Sequence, residues 1–221
     1  MSRPEVLVKI CGLTCVDDAV ACAELGADSI GLNFHRPSPR YVDPETAAEI
    51  LAVLPRRVMS VGVFVDRPPV EVADLADRLG LGAVQLHGQE PLEDLAALRR
   101  FRVIRAFRLR TSEGWGIVSD FVSRADALGH APFGVLVDAY VPGLPGGTGM
   151  AIDDAVLDAR PPLPHLILAG GLTPENIAER IARVRPWMVD VATGVESIPG
   201  RKDPAAVAAF IRAVRSVGAA S

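Results

Sequence analysis

A chain of 221 residues with 49% hydrophobic and 23% charged side chains can bury a substantial core, and one domain is the expectation. Its 27 acidic and 23 basic residues give a net charge of -4, so no basic excess is present to neutralise a nucleic-acid backbone. Met1 to Val8 lack a long apolar h-region, and charges or Gly/Pro clusters interrupt every stretch that might cross a bilayer; a cytoplasmic location without nucleic-acid or membrane partners follows.

In chain order, apolar β-rich runs give strand candidates at Val6–Ile10, Ser29–Phe34, Met59–Val65, Ala83–Leu86, Arg102–Phe107, Gly134–Val137, Leu166–Ala169 and Val189–Ala192. Helical periodicity fills the gaps. Thr14, with Asp17 three residues on, opens a helix candidate over Cys15–Leu25, and Asp43 opens one over Pro44–Leu54. Further helix starts fall at Pro69, Pro91, Asp153, Pro174 and Pro204, with Thr173 and Asp203 as N-caps of the last two. Between Thr111 and Leu128, Trp115, Ile117, Val118, Phe121 and Val122 predict a helix whose start is blurred by Gly114 and Gly116. Strand and helix alternate throughout, which fits an open doubly wound sheet or a closed barrel. Gly170-Gly171 and Thr193-Gly194 follow the seventh and eighth strands, where barrels commonly hold phosphate, and no G-x-G-x-x-G follows the first. The fold expected is a single-domain (β/α)8 TIM barrel spanning residues 1–221.

Cys11, Cys15 and Cys22 are an odd set near the start of the chain, so reduced thiols are expected; with no His nearby, no metal site is assigned. The Cys15, Ala19, Cys22 stripe has helical spacing and reads as core. In a barrel of this kind the reactive groups stand at the C-terminal ends of the strands. Those ends carry Lys9-Ile10-Cys11-Gly12, the Ser38-Pro39-Arg40 loop, Gln85-Leu86-His87-Gly88, Asp138, Gly146-Gly147-Thr148-Gly149, Ala169-Gly170-Gly171-Leu172 and Gly194-Val195-Glu196.

Together with Val61-Gly62-Val63-Phe64-Val65, this ordered set resembles the phosphoribosylanthranilate isomerases of tryptophan biosynthesis over Val8 to Phe210. Thr193 stands where that family often has Ser, and Met150-Ala151-Ile152-Asp153 replaces a more usual basic and aromatic continuation. The resemblance implies a cofactor-independent Amadori rearrangement of a small phosphosugar, N-(5-phosphoribosyl)anthranilate, by a monomer or homodimer. It also implies that Cys11 is the general base, Asp138 the general acid and Arg40 the group that holds the anthranilate carboxylate. Gly170, Gly171, Thr193 and Gly194 would bind phosphate through backbone N–H groups, which approach an anion closely where no Cβ obstructs.

Each assignment has a plainer alternative. Cys11 also reads as a small buried hydrophobe, Asp138 as a strand-end cap, Arg40 as a solvated loop residue and the glycines as turn geometry; the shared context favours the site. His87 receives no catalytic role, its default being a hydrogen bond to a backbone carbonyl. A free thiol titrates near pH 8.5 and a free Asp near 3.9, so their surroundings must favour thiolate on Cys11 and the proton on Asp138. Lys9 lies two residues before Cys11 and shares its face, and closure of the barrel brings Asp190 beside it. A buried Lys9–Asp190 ion pair is expected, either preparing the thiolate or completing a polar core layer. Two rivals on the same scaffold fit less well. Indole-glycerol-phosphate synthases rely on several active-site lysines, whereas Lys9 and Lys202 are the only two here and Lys202 falls beyond the last strand candidate. Histidine-pathway isomerases resemble a two-carboxylate design with an acid where Cys11 stands.

Overall fold

The computed structural model describes residues 6–139 and 151–219. Eight parallel strands close into a barrel in chain order: β1 (Leu7–Cys11), β2 (Ser29–Asn33), β3 (Met59–Phe64), β4 (Ala83–Leu86), β5 (Val103–Leu109), β6 (Gly134–Ala139), β7 (Leu166–Leu168) and β8 (Met188–Val191). Every strand expectation holds, with no end displaced by more than two residues. Helices α1 (Val16–Glu24), α2 (Pro44–Val53), α3 (Pro69–Leu79), α4 (Glu93–Ala97), α5 (Gly114–Ala127), α6 (Asp154–Asp158), α7 (Ile177–Val184) and α8 (Pro204–Ala219) alternate with them. None of the described helices is long and apolar enough to cross a membrane. The Gly146-Gly147-Thr148-Gly149 motif lies outside the described residues.

The strands carry nearly continuous apolar runs because the barrel buries both of their faces. Val8 and Ile10 of β1 join a cluster under the helices that also holds Ile30, Leu32, Val84 and Leu86. Side chains alternate across a strand, so Leu7, Lys9 and Cys11 turn to the barrel axis. There Val61, Ala83, Ile104, Ala106, Leu136, Ile167, Ala169 and Met188 form a separate apolar plug. Burying one Val, Leu or Ile fully contributes about 1.5–3 kcal/mol, so this plug and the outer shell together hold the strand ends in place. The site therefore stands on a solid floor.

Local signals set some helix ends and distant contacts reset others. Asp43 caps α2 by accepting from Thr46 N at 2.9 Å, and Asp203 accepts from Ala205 N at 2.8 Å at the head of α8. Thr14 does not cap α1: its hydroxyl donates instead to Gly200 O at 2.6 Å, a partner 186 residues away. Thr173 does not cap α7 either. A turn intervenes, Asn176 takes the N-cap position, and its Oδ1 accepts from Thr173 N at 2.9 Å. Pro91 precedes α4 by a turn rather than starting it. Of the predicted core stripe, Ala19 and Cys22 are buried while Cys15 remains half-buried. A short hairpin of β9 (Glu196–Ile198) and β10 (Arg201–Lys202), absent from the sequence reading, follows a 3-10 turn at Thr193–Val195.

Candidate active site

The cavity at the C-terminal mouth of the barrel has a volume of about 320 Å³, and Cys11, Arg40, Asp138, Gly170, Gly171, Thr193 and Gly194 all line it. Seven residues that the sequence scatters over 184 positions thus meet at one opening. Cys11 ends β1 and Asp138 lies near the end of β6, with β8 and β7 between them around the barrel. Gly31 of β2 pairs with Cys11, and a Cβ there would lie 2.6 Å from the thiol sulfur and 3.1 Å from Lys9 Nζ. A side chain at that position would displace both groups, so only glycine leaves them room.

Below Cys11, Lys9 is completely buried and its Nζ donates to Asp190 Oδ1 at 2.9 Å, as barrel closure requires when β1 and β8 pair these two residues in register. Burial works against the ammonium, but Asp190 and Cys11 together raise the Lys9 pKa above its ordinary value. The thiol responds to opposed influences. Burial is the largest and pushes the Cys11 pKa up, Lys9 and Lys202 pull it down, and the balance stays above the ordinary thiol range. The expectation that nearby positive charge would win is corrected here: two lysines reduce the cost of the thiolate without cancelling its desolvation.

Lys202 lies beyond the last barrel strand, as expected, yet its charge reaches Cys11. Hairpin β9–β10 folds it back so that it is buried, donating to Ala192 O at 3.3 Å and Glu196 Oε1 at 2.8 Å. Arg40 grips the same carboxylate, with Nε 2.9 Å from Glu196 Oε1 and Nη2 2.7 Å from Oε2, and a further bond from Nη2 to Thr193 Oγ1 at 3.0 Å. The bidentate geometry predicted for a substrate carboxylate is therefore already used on Glu196. Burial disfavours the Glu196 carboxylate, yet its bonds to Arg40 and Lys202 hold its pKa below the ordinary value. Glu196 was visible within Gly194-Val195-Glu196 but had no role in the sequence reading. The signal for it was the short Pro199-Gly200 turn between two polar pairs, a hairpin mark too weak to assign unaided.

On the opposite wall, Asp138 Oδ1 accepts from Ala139 N at 2.8 Å, and a Cβ on Gly170, whose φ is +83°, would come within 2.7 Å of both atoms. Asp138 Oδ2 faces His87 Nε2 at 3.7 Å. His87 thus departs from the backbone-carbonyl default: its Nδ1 lies 2.9 Å from the Gln85 amide nitrogen, and its ring lines the cavity. The backbone N–H groups of Gly170, Gly171 and Gly194 have no hydrogen-bond partner among the described residues. Gly194 also sits so close to Leu172 O that a Cβ would lie 1.9 Å from it.

Residues 8–213 match the family model of N-(5'-phosphoribosyl)anthranilate isomerase. The Geobacter sulfurreducens enzyme of that name is 48% identical over 208 residues, covering 94% of this chain and 97% of its own. The crystal structure of the phosphoribosyl anthranilate isomerase from Thermotoga maritima matches with 36% identity and a TM-score of 0.84, over 96% of this chain and 99% of that one. A complex of phosphoribosyl anthranilate isomerase with reduced 1-(o-carboxyphenylamino)-1-deoxyribulose 5-phosphate matches at 35% identity and a TM-score of 0.81, with the same coverage of 96% and 99%. With the closed barrel and the gathered strand-end residues, these matches establish that the chain belongs to the N-(5'-phosphoribosyl)anthranilate isomerase family.

Proposed function

We propose that the whole chain acts as one catalytic domain in which Cys11 is the base and Asp138 the acid for the family's isomerisation in tryptophan biosynthesis. The observation that carries this reading is the presence of both groups on one cavity, separated by the glycine loops after β7 and β8. The substrate enters with its phosphate toward Gly170, Gly171, Thr193 and Gly194, whose N–H groups suit an anion. Asp138 then gives its proton to the furanose ring oxygen while the C1–O bond breaks, and the substrate nitrogen lone pair forms the Schiff base. Cys11 thiolate removes the proton from C2, and the C–H electrons form the C1–C2 double bond of the enolamine. Protonation at C1 and loss of the C2 hydroxyl proton give the aminoketose.

The reactive state pairs a thiolate with a carboxylic acid, the less populated arrangement when a thiol titrates above a carboxyl group. Lys9 and Lys202 narrow that gap by lowering the cost of the Cys11 thiolate. In such a pair the basic limb of the pH–rate profile reports the thiol. Arg40, braced by Glu196, presents positive charge beside the phosphate loop and the loop after β2, where an anthranilate carboxylate is to be held.

Loss of the fluorescence of N-(5'-phosphoribosyl)anthranilate on adding the purified protein tests the activity. Turnover is the expected result, and a folded protein that leaves the signal unchanged contradicts the reading. Sulfate or phosphate among the Gly170-Gly171 and Thr193-Gly194 amides in a crystal is expected; an anion seated on another loop would reject the phosphate assignment.

A further inference from the structure

Two buried polar atoms of residues that line the cavity with Asp138 have no hydrogen-bond partner among the described residues, Gln85 Oε1 and His87 Nε2. Residues two apart on an extended segment share a face, so Gln85 and His87 both turn from β4 into the barrel mouth. The Gln85 amide nitrogen lies 2.9 Å from His87 Nδ1; because an amide N–H can only donate, this contact calls for the imidazole tautomer with Nδ1 bare and the proton on Nε2, the nitrogen facing Asp138 Oδ2 at 3.7 Å. This ring does not hang from a loose loop. His87 N donates to Phe64 O at 2.9 Å, and its carbonyl accepts from Arg108 Nη2 at 2.9 Å. Just beyond it, Arg105 and Glu90 form an ion pair at 3.2 Å that bonds the backbone of Leu86, Gly88 and Asp66.

We propose that His87 is a positioning residue for Asp138, a hydrogen-bond donor that the Gln85 contact aims at the carboxylate left behind when Asp138 gives its proton to the substrate. The inference rests on the acid assignment of Asp138 made above. Asp138 Oδ1 is already an acceptor, from Ala139 N, so the transferable proton belongs on Oδ2. While that proton is present, Oδ2–H and Nε2–H are two donors facing each other, and a separation of 3.7 Å suits them. Once the proton leaves, Oδ2 becomes an anionic acceptor, and a closure of about 0.8 Å brings Nε2–H to charge-assisted hydrogen-bond distance. No proton moves from His87; it answers the charge that develops on Asp138. An interaction that is weak before the transfer and strong after it lowers the barrier without tightening substrate binding, so it acts on kcat rather than KM.

The test compares side chains of different reach in the intact protein. Gln at position 87 can place an amide N–H near the position of imidazole Nε2, whereas Asn is too short and Leu has no donor. His87→Leu and His87→Asn are expected to lower kcat roughly ten- to a hundredfold with KM within about threefold of the parent, and His87→Gln to recover most of the loss. On an Asp138→Asn background, His87→Leu should change the residual rate little, because the charge it serves no longer forms. Nitrogen NMR of the parent should show Nδ1 unprotonated and Nε2 protonated, and Gln85→Leu should blur that preference. The inference is overturned if His87→Asn and His87→Leu keep kcat within about twofold while Asp138→Asn is inactive, or if His87→Gln is as impaired as His87→Asn. An active Asp138→Asn enzyme sinks the acid assignment instead, which separates the two failures.

Discussion

The two walls of the barrel mouth are built on opposite plans. Along β1, β8 and the β9–β10 hairpin, Lys9 meets Asp190, and Glu196 takes both Arg40 and Lys202. Along β4 and β6, among the described residues, Asp138 accepts a hydrogen bond through one oxygen, and Gln85 and His87 on the same cavity each keep an unpartnered polar atom. In the proposed reaction the first wall is set before substrate arrives, and the second is completed by the charge that proton transfer from Asp138 creates. A base that must lose its proton inside a buried site needs fixed positive charge, and an acid that must keep its proton needs donors that do not yet bind.

The comparison breaks most sharply at the two proposed proton-transfer groups. Cys11→Ala and Asp138→Asn should each lower kcat by roughly a hundred- to ten-thousandfold, the usual worth of a positioned proton-transfer group, with substrate binding largely intact by titration. Near-parental kcat in either variant removes that residue from the mechanism.

Next comes the paired wall itself. Lys9→Met leaves Asp190 buried without its counter-ion, and the expected loss is about 3–5 kcal/mol of stability, read by denaturant unfolding. Because Lys9 lowers the Cys11 pKa, removing its charge raises that pKa, and the basic limb of the pH–rate profile should move to higher pH. A folded variant with an unmoved limb would leave Lys9 a purely structural residue.

Arg40→Ala probes whether one guanidinium both braces Glu196 and binds substrate. KM should rise roughly ten- to a hundredfold, the worth of a charge-assisted pair of about 1.5–3 kcal/mol, with a smaller fall in stability because Lys202 still holds Glu196. A stability loss with KM unchanged assigns Arg40 to the frame alone. The smallest effect concerns acid. The folded Glu196 pKa lies below its ordinary 4.5, so the stability these pairs contribute is complete above that pH and is lost as pH falls through the folded value. Melting temperature followed over that window should fall more steeply for the parent than for Glu196→Gln, and parallel curves would contradict the linkage.

Much of this was legible before any coordinates. The alternation of strand and helix, the caps at Asp43 and Asp203, and the seven cavity residues follow from patterns within a few positions of each other and from the family motifs. The Lys9–Asp190 pair was also within reach, because a closed barrel must put its last strand beside its first. Thr14 and Thr173 were expected at helix N-caps and take neither: the Thr14 hydroxyl finds Gly200 O across the fold, and at Thr173 a turn intervenes so that Asn176, three residues on, holds the N-cap position.

By itself, then, the sequence determined the eight barrel strands, the helices between them, their order and which chemical groups reach the strand ends, since side-chain periodicity is a short-range effect. Only the tertiary structure decided how Arg40 and Lys202 are paired and which way the Cys11 and Glu196 proton equilibria lean. The Arg40–Glu196 contact joins residues 156 positions apart, and the raised Cys11 pKa comes first from burial. Desolvation and ion pairing depend on what surrounds a group in space, and that environment exists only when β1 and β8 close the barrel.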